Sequence, residues 1–391
     1  MSAVAKASGL QQVLNTVHGW KSTCGPGALP VLSAIARCRT PSLGYHLYRC
    51  ADNDCAHKKM QYHSCRNRHC PHCGTAKKED WIGARLRELL PCKYYHVVFT
   101  LPHDLNGIAM FNRKAMFDLL FQTSAYTLTI FANDAKHLGA TPGIISVLHT
   151  WGQQLSFHPH VHCIVTGNGW KQKDHQWVEA KKARYKRLFP VLAMEQVYRA
   201  CFLKRLCQLK DMGDLSLTDQ QKAGWYNLMQ TLKQKRWIVY AKEPFGGPPQ
   251  VIEYLGRYTH KVAISNSRIS IVSDQGQVTF NYKDYADEGK VKQMTLAGLE
   301  FIRRFEQHIL PKRFCKIRSY GLYGNHKRHE RVQLILKTLK LPLHPPPSQV
   351  PWHVKFMERY GIDPMLCPCC KKAQMVLLQI IFIQKDMVKR E

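Results

Sequence analysis

The chain has 391 residues, with 57 Lys and Arg against 27 Asp and Glu, a net charge of +30. That length suits two or three domains with a real core. The imbalance favours polyanions, nucleic acid first, and excludes a membrane-surface role, because the basic residues are spread along the chain rather than gathered on one amphipathic helix.

No apolar run is long enough to span a bilayer, and the late run 375–383 is far too short. The opening MSAVAKASGLQQVLNTVHGW has no apolar signal core, so no membrane partner and no secretion are expected. Without a signal, the 15 cysteines point to metal rather than disulfides. A cytoplasmic, nucleoid-associated protein is the expectation.

Residues 1–90 are rich in cysteine and histidine and read as loop-like. The stretch CADNDCAHKKMQYHSCRNRHCPHC (50–73) holds Cys50-x4-Cys55 and Cys70-x2-Cys73. Two such knuckles match one tetrahedral structural zinc site with ligands Cys50, Cys55, Cys70 and Cys73. Cys65, His63 and His69 are nearby substitutes. Arg66 and Arg68 place two guanidiniums beside the knuckle, where they are candidate phosphate contacts or simply solvate the module.

KYYHVVFTLP (93–102) is a β-rich run closed by proline, and residues 110–133 show helical spacing of Phe111, Met116, Leu119, Leu120 and Tyr126. IISVLH (144–149) and HVHCIVT (160–166) read as buried strands, joined through Gly152, Gln153 and Gln154. Helices are expected over 192–210 and 217–234, a strand over 236–242 and a short helix over 251–262. RISIVSDQGQVTFNYK (268–283) reads as a hairpin and TLAGLEFIRRFEQHIL (295–310) as an amphipathic helix. A proline-rich linker then leads to CPCC (367–370), half a metal site with no following partner pair, and to an apolar end without pattern.

The stretch SFHPHVHCIV (156–165) carries His158, His160 and His162. In a strand, residues two apart share a face, so His160 and His162 present two imidazoles side by side, half of a metal site. Pro159 suits the strand entrance and turns His158 aside. In EYLGRYTHKV (253–262), Tyr254 and Tyr258 share one face of the expected helix. Taken alone they read as an aromatic pair packing on a core. Arg257, His260 and Lys261 change that balance, since positive charge beside phenols favours both a phosphate and a phenolate.

This set resembles the two-tyrosine HUH transposases of bacterial insertion sequences, which carry an N-terminal zinc-binding domain. The similarity covers about 25–330 and is strongest in SCRNRHCPHC, VVFTLP, HTWGQQLSFHPHVHCIV, YLGRYTHKVAISNSRI and RRFEQHILPKRFCKIRSYG. The resemblance implies an α+β fold, with an antiparallel sheet flanked by helices behind a small zinc module. It implies that His160 and His162 hold a catalytic Mg2+ or Mn2+, with Gln153 as third ligand and Gln154 or His260 as alternatives. Tyr254 and Tyr258 would be the nucleophiles, each forming a 5′-phosphotyrosine on single-stranded DNA at element ends and targets. The expected organisation is a zinc and DNA-binding module at 1–90, the catalytic domain at 91–290 and a basic C-terminal region at 291–391.

DNA contacts are expected from Arg66, Arg68, Arg257, Lys261, Arg303, Arg304, Lys312 and Arg313, with Tyr320 and Tyr323 as base-stacking candidates. The absence of a G-x4-G-K-[ST] loop agrees with religation that needs no ATP. Replication initiators and relaxases share this chemistry. A non-catalytic zinc-dependent DNA-binding protein explains the charge and cysteines but not the paired histidines and tyrosines. A zinc hydrolase lacks its H-E-x-x-H motif.

Overall fold

The computed structural model describes residues 9–181, 187–242, 250–251, 256, 261–343 and 350–383. The chain folds into two compact units, neither of them one continuous stretch. One takes Met1–Ala76, Ile264–Glu306 and Pro345–Glu391; the other takes Lys77–Ala263 and Gln307–His344. The expected cuts after 90 and 290 do not follow these units, because the N-terminal module recruits two later segments.

The larger unit is built on a six-stranded sheet. Its strands are β3 (Tyr94–Thr100), β4 (Thr141–Trp151), β5 (Phe157–Lys171), β6 (Gln176–Glu179), β7 (Val239–Ala241) and β11 (Ile317–Gly321). The order is β11-β4-β5-β3-β7, with β6 pairing the far end of β5, and every pair is antiparallel. The expected α+β architecture with the histidines on a central strand is what forms. β3 and β4 are buried nearly throughout, which explains their continuous apolar sequence: both faces are covered.

Register decides which side chains share a face. Val161, Cys163 and Val165 of β5 lie in one cluster with Val97 and Phe99 of β3 and Leu148 of β4. The helices Arg113–Asn133 and Val191–Asp211 contribute Met116, Leu120, Phe121, Leu128, Tyr198 and Phe202 to that cluster. Burying side chains of this size stabilises by roughly 2 kcal/mol each. His160, His162 and Ile164 alternate with that set and so face the other way. On this second face Ile164 joins Ile145, Tyr94, Val251 and the helix Arg328–Thr338 through Val332, Ile335 and Leu336.

Several sequence expectations shift. Phe111 ends the separate helix Asn106–Phe111 and is exposed, and Tyr126 points outward under the Arg205 guanidinium, 5.1 Å from the ring centroid. The helix expected over 217–234 is two, Asp219–Ala223 and Trp225–Gln234, interrupted at Gly224. A capping box starts the first: Thr218 Oγ1 accepts from the Gln221 amide, and Gln221 Oε1 accepts from the Thr218 amide.

The cysteine-rich unit is more ordered than its sequence suggests. Short helices at Leu10–Thr16 and Leu29–Ala36 precede β1 (Tyr45–Cys50) and β2 (Lys58–Tyr62). The apolar end forms β12 (Met375–Ile381), antiparallel to β1, so the small sheet runs β12-β1-β2. The hairpin expected at 268–283 forms as β8 (Ile269–Val272) and β9 (Gln277–Asp284), and β10 (Lys290–Ala297) adds a third strand. The helix expected over 295–310 starts only at Gly298, because Thr295–Ala297 finish β10. A Cβ at Gly298 would stand 2.5 Å from the Gly276 carbonyl oxygen, so only glycine fits that junction.

One buried polar contact offers a clean stability test. The Tyr94 hydroxyl donates to the Leu90 carbonyl (3.1 Å), so the Tyr323 hydroxyl, 2.9 Å away, donates to Tyr94. Tyr323→Phe should lower stability by about 1 kcal/mol in urea denaturation and leave DNA affinity unchanged. Unchanged stability would mean that the Tyr94–Tyr323 hydroxyl contact contributes nothing net.

Candidate functional site

His149, at the end of β4, stands directly opposite His160 on β5, and His162 stands opposite Val147. In an antiparallel pair such partners share a face. The three imidazoles accordingly gather: ring centroids lie 5.5 Å apart for His149–His160, 4.6 Å for His149–His162 and 4.8 Å for His160–His162. One nitrogen from each lies within 4.8 Å of the others. His149 is the donor the sequence reading missed. Its signal was the strand end in IISVLH, but only the register brings it across from His160.

The outer contacts aim the rings. His160 Nδ1 lies 2.7 Å from the His158 carbonyl, which can only accept, so Nδ1 carries the proton and Nε2 keeps the lone pair. His162 Nδ1 lies 2.9 Å from Nε2 of His96 on β3, and the two rings stack. Burial pushes His160 down to about 4, and the nearby Lys261 charge adds to this. Burial also holds His162 well below its ordinary value, helped by His149, His160, His96 and Lys261. His96 falls to about 3 through burial and then Lys242. Neutral imidazoles at neutral pH have lone pairs for a divalent cation.

Gln153, the expected third ligand, sits half-buried in the turn between β4 and β5, with Gln154 exposed beside it. That turn is tightly held. Leu155 has φ of 58° and is fully buried. The His308 ring spans the turn, with Nε2 donating to the Leu155 carbonyl at 3.2 Å and Nδ1 3.3 Å from Thr150 Oγ1. His158 stands outside the trio, as expected from Pro159.

Tyr254, Tyr258, Arg257 and His260 lie outside the described residues. The residues around them bear on the site. Val251 is buried with Ile145 and Ile164 on the histidine face, and the charge of Lys261 is felt at both His160 and His162. Lys316 Nζ donates to the Lys261 carbonyl at 3.3 Å, tying β11 to the end of the tyrosine segment.

The cysteines sort differently from the expected quartet of Cys50, Cys55, Cys70 and Cys73. Cys70 and Cys73 join Cys38 and Cys65; Cys50 and Cys55 join Cys367 and Cys370. The physical reason is the β12–β1 pairing, which brings the CPCC knuckle to the end of β1. In the first group Cys38 Sγ and Cys65 Sγ lie 3.4 and 3.6 Å from Cys73 Sγ. A disulfide needs about 2.05 Å, whereas a tetrahedron with metal–sulfur bonds of about 2.3 Å has sulfurs about 3.8 Å apart. Hydrogen bonds from the other three sulfurs pull Cys73 below the ordinary thiol range. Neither His63 nor His69 belongs to either group; His63 Nδ1 instead bonds the Leu43 carbonyl at 2.9 Å.

Some basic residues are exposed, and others are engaged in ion pairs. Arg66 and Arg68 are exposed, and Arg66 lines a groove of about 450 Å³ with Arg39, His46, Tyr62 and His63. Lys261, Lys312 and Arg313 are exposed. Arg303 and Arg304 both pair with Glu300, at 2.6 and 2.7 Å. Arg318 pairs with Asp118 and lies over Phe121, and Arg328 pairs with Glu88 at 3.2 Å. Tyr323 is buried and Tyr320 half-buried, so Tyr323 at least offers no ring to a base.

An α+β chain that combines such charge, thiolate quartets and an imidazole trio falls in the class of nucleic-acid-processing proteins. Comparison with known proteins narrows the class. Residues 143–331 match the family described as "Putative transposase", and residues 11–101 match "Transposase zinc-binding domain". The chain is 39% identical over 359 residues to "Putative transposase y4qJ" of Sinorhizobium fredii, covering 90% of this chain and 88% of that one. It is 29% identical over 339 residues to the "Transposase for insertion sequence element IS801" of Pseudomonas savastanoi pv. phaseolicola, covering 87% and 80%. No solved structure matches it. The chain belongs to this family of insertion-sequence transposases, with its zinc-binding domain at the N-terminal side. A transposase binds DNA and breaks and joins its strands. No helix among the described residues is long and apolar enough to cross a membrane.

The buried His308 sets a pH dependence. Burial lowers it from 6.5 to about 4. The unfolded chain therefore takes up a proton near pH 6.5 that the folded chain refuses until about pH 4. The associated stability is fully present above 6.5 and lost as pH falls from 6.5 to about 4. The loss is roughly 3 kcal/mol. Urea midpoints measured across that range should fall less steeply for His308→Gln than for the parent chain. Parallel slopes would place the acid sensitivity elsewhere.

Proposed function

We propose that this transposase nicks and rejoins single-stranded DNA through 5′-phosphotyrosine links at Tyr254 and Tyr258, moving its element by a rolling-circle-like route. The observation that carries the reading is the trio His149, His160 and His162 on adjacent central strands, with Lys261 close by. A protein that only bound DNA would have no use for three converging neutral imidazoles. Replication initiators and relaxases share the chemistry; the similarity to transposases along 90% of the chain favours transposition.

The donor set fits a divalent first-row ion. Three imidazoles suit Mn2+ better than Mg2+, which prefers oxygen donors. Gln153, in the adjoining turn, would add an amide oxygen. A cation held there would polarise the scissile phosphate and neutralise developing charge. The remaining work belongs to the chain. A tyrosine oxygen attacks phosphorus, the bond to the 3′ oxygen breaks, and one proton passes in net terms from phenol to the 3′ oxygen. The P–O bond energy stays in the phosphotyrosine, so a free 3′-OH can reverse the step without ATP. Two tyrosines allow one strand to be held while a second is cut. Lys261 and Arg257 would hold the phosphate, and Arg66, Arg68, Lys312 and Arg313 would track the DNA backbone. His96 keeps the His162 ring in place.

End-labelled single-stranded DNA spanning candidate element ends, incubated with the chain and Mn2+ or Mg2+, should give a covalent protein–DNA adduct on a denaturing gel. Tyr254→Phe/Tyr258→Phe should abolish the adduct and leave DNA binding intact. His149→Ala and His160→Ala should each reduce adduct formation by at least about 100-fold. His96→Phe should weaken cation affinity by about 10-fold to 100-fold, and Gln153→Ala should weaken it less than His149→Ala does. Tight, salt-sensitive DNA binding with no adduct on any end would mean a binding protein instead.

A further inference from the structure

The second cysteine group is not explained by strand transfer. Its two halves come from places far apart in sequence. Cys50 closes β1, Cys55 follows in the next turn, and Cys367 and Cys370 form the CPCC knuckle before β12. Cys50 Sγ lies 3.6 Å from Cys370 Sγ, and Cys55 Sγ lies 3.9 Å from Cys367 Sγ. These separations bracket the sulfur–sulfur edge of a tetrathiolate metal site, about 3.8 Å, and are far too long for disulfides. Cys369, between the two, is exposed and takes no part.

Backbone amides are aimed at three of the four sulfurs. The Asp52 amide points at Cys50 Sγ, the His57 amide at Cys55 Sγ, and the Lys372 and Ala373 amides at Cys370 Sγ. Lys371 takes a left-handed φ of 55°, and its amide donates to the Cys367 carbonyl at 3.0 Å, closing the knuckle. The register fixes both halves against each other: Cys50 pairs with Met375, and the Ala51 amide donates to the Gln374 carbonyl at 2.9 Å.

Apolar burial cannot hold this arrangement. The buried residues of the local cluster are Cys50, Cys367 and Met375. Two of these are the cysteines themselves. On β12, Val376, Leu377, Leu378 and Ile380 remain exposed. A sheet with so small a core needs a metal or a covalent staple.

We propose that Cys50, Cys55, Cys367 and Cys370 bind a second structural zinc ion, which clamps the tail strand onto the N-terminal module. It is separate from the zinc that Cys38, Cys65, Cys70 and Cys73 would hold, and it gives the unpatterned tail a structural role.

The full chain, purified under reducing conditions without added metal, should contain two zinc ions per chain by elemental analysis. Cys367→Ser/Cys370→Ser should contain one, and limited proteolysis should then remove the tail, which stays protected in the parent chain. Should that variant fail to fold, alkylation of the parent chain decides the matter. Cys50, Cys55, Cys367 and Cys370 should stay unmodified until a chelator is added, while the exposed Cys315 and Cys369 react at once. One zinc per parent chain, iron in place of the second zinc, disulfides among the four cysteines by intact mass, or immediate alkylation of the four would each overturn the proposal.

Discussion

In an antiparallel ladder, two residues directly opposite one another point to the same face, and the pairing of His149 with His160 across β4 and β5 rests on that rule. A slip of one residue would send His149 to the helix-covered face and bring Leu148 to the site. The sheet prevents this from both sides. Leu148 and Val161 are buried in the main cluster, and Ile145 and Ile164 are buried in the opposite one. The register shifts between His149 and Trp151, where the strand leaves its ladder for the turn that His308 spans. The imidazole cluster thus sits where a rigid ladder ends and a braced turn begins. Its geometry comes from strands rather than from loops, so the three rings are fixed by the ladder.

Burial does double work at this cluster. Removing the rings from water keeps them neutral, and neutrality is what makes them donors. The His158 carbonyl then decides which nitrogen of His160 carries the proton. His96 performs a similar service for His162 from the neighbouring strand β3. The site is therefore three strands wide, although the sequence advertises only the alternating histidines of one.

Features set by neighbours in sequence were legible. The apolar runs of β3, β4 and β5, the long helices after Arg113 and Val191, and the β8–β9 hairpin follow from local pattern, as does the shared face of His160 and His162. Features set by topology were not. Cys38 is a single cysteine in a basic stretch, and nothing in its spacing marks it as the companion of Cys65, Cys70 and Cys73. The CPCC knuckle looked like half a site because its other half precedes it by most of the chain. Counting charges could not show that Asp118 and Glu88 engage Arg318 and Arg328 as internal partners. β12 looked unpatterned because a strand with exposed apolar side chains on a small sheet lacks the alternation of a half-buried one.

The interleaving of the two units has a consequence in time. β1 emerges early in synthesis, and its partner β12 follows only after the whole larger unit has been made. The larger unit has its strands β3 to β7 close together in the chain and needs only β11 from later on. Closing a loop of this length costs entropy that no local contact recovers. The histidine sheet should therefore assemble while the cysteine unit is still incomplete. During that interval one edge of β1 is unpaired and the Cys50 and Cys55 thiols lack their partners. The cysteine unit is completed last in chain order, because β12 is its final strand.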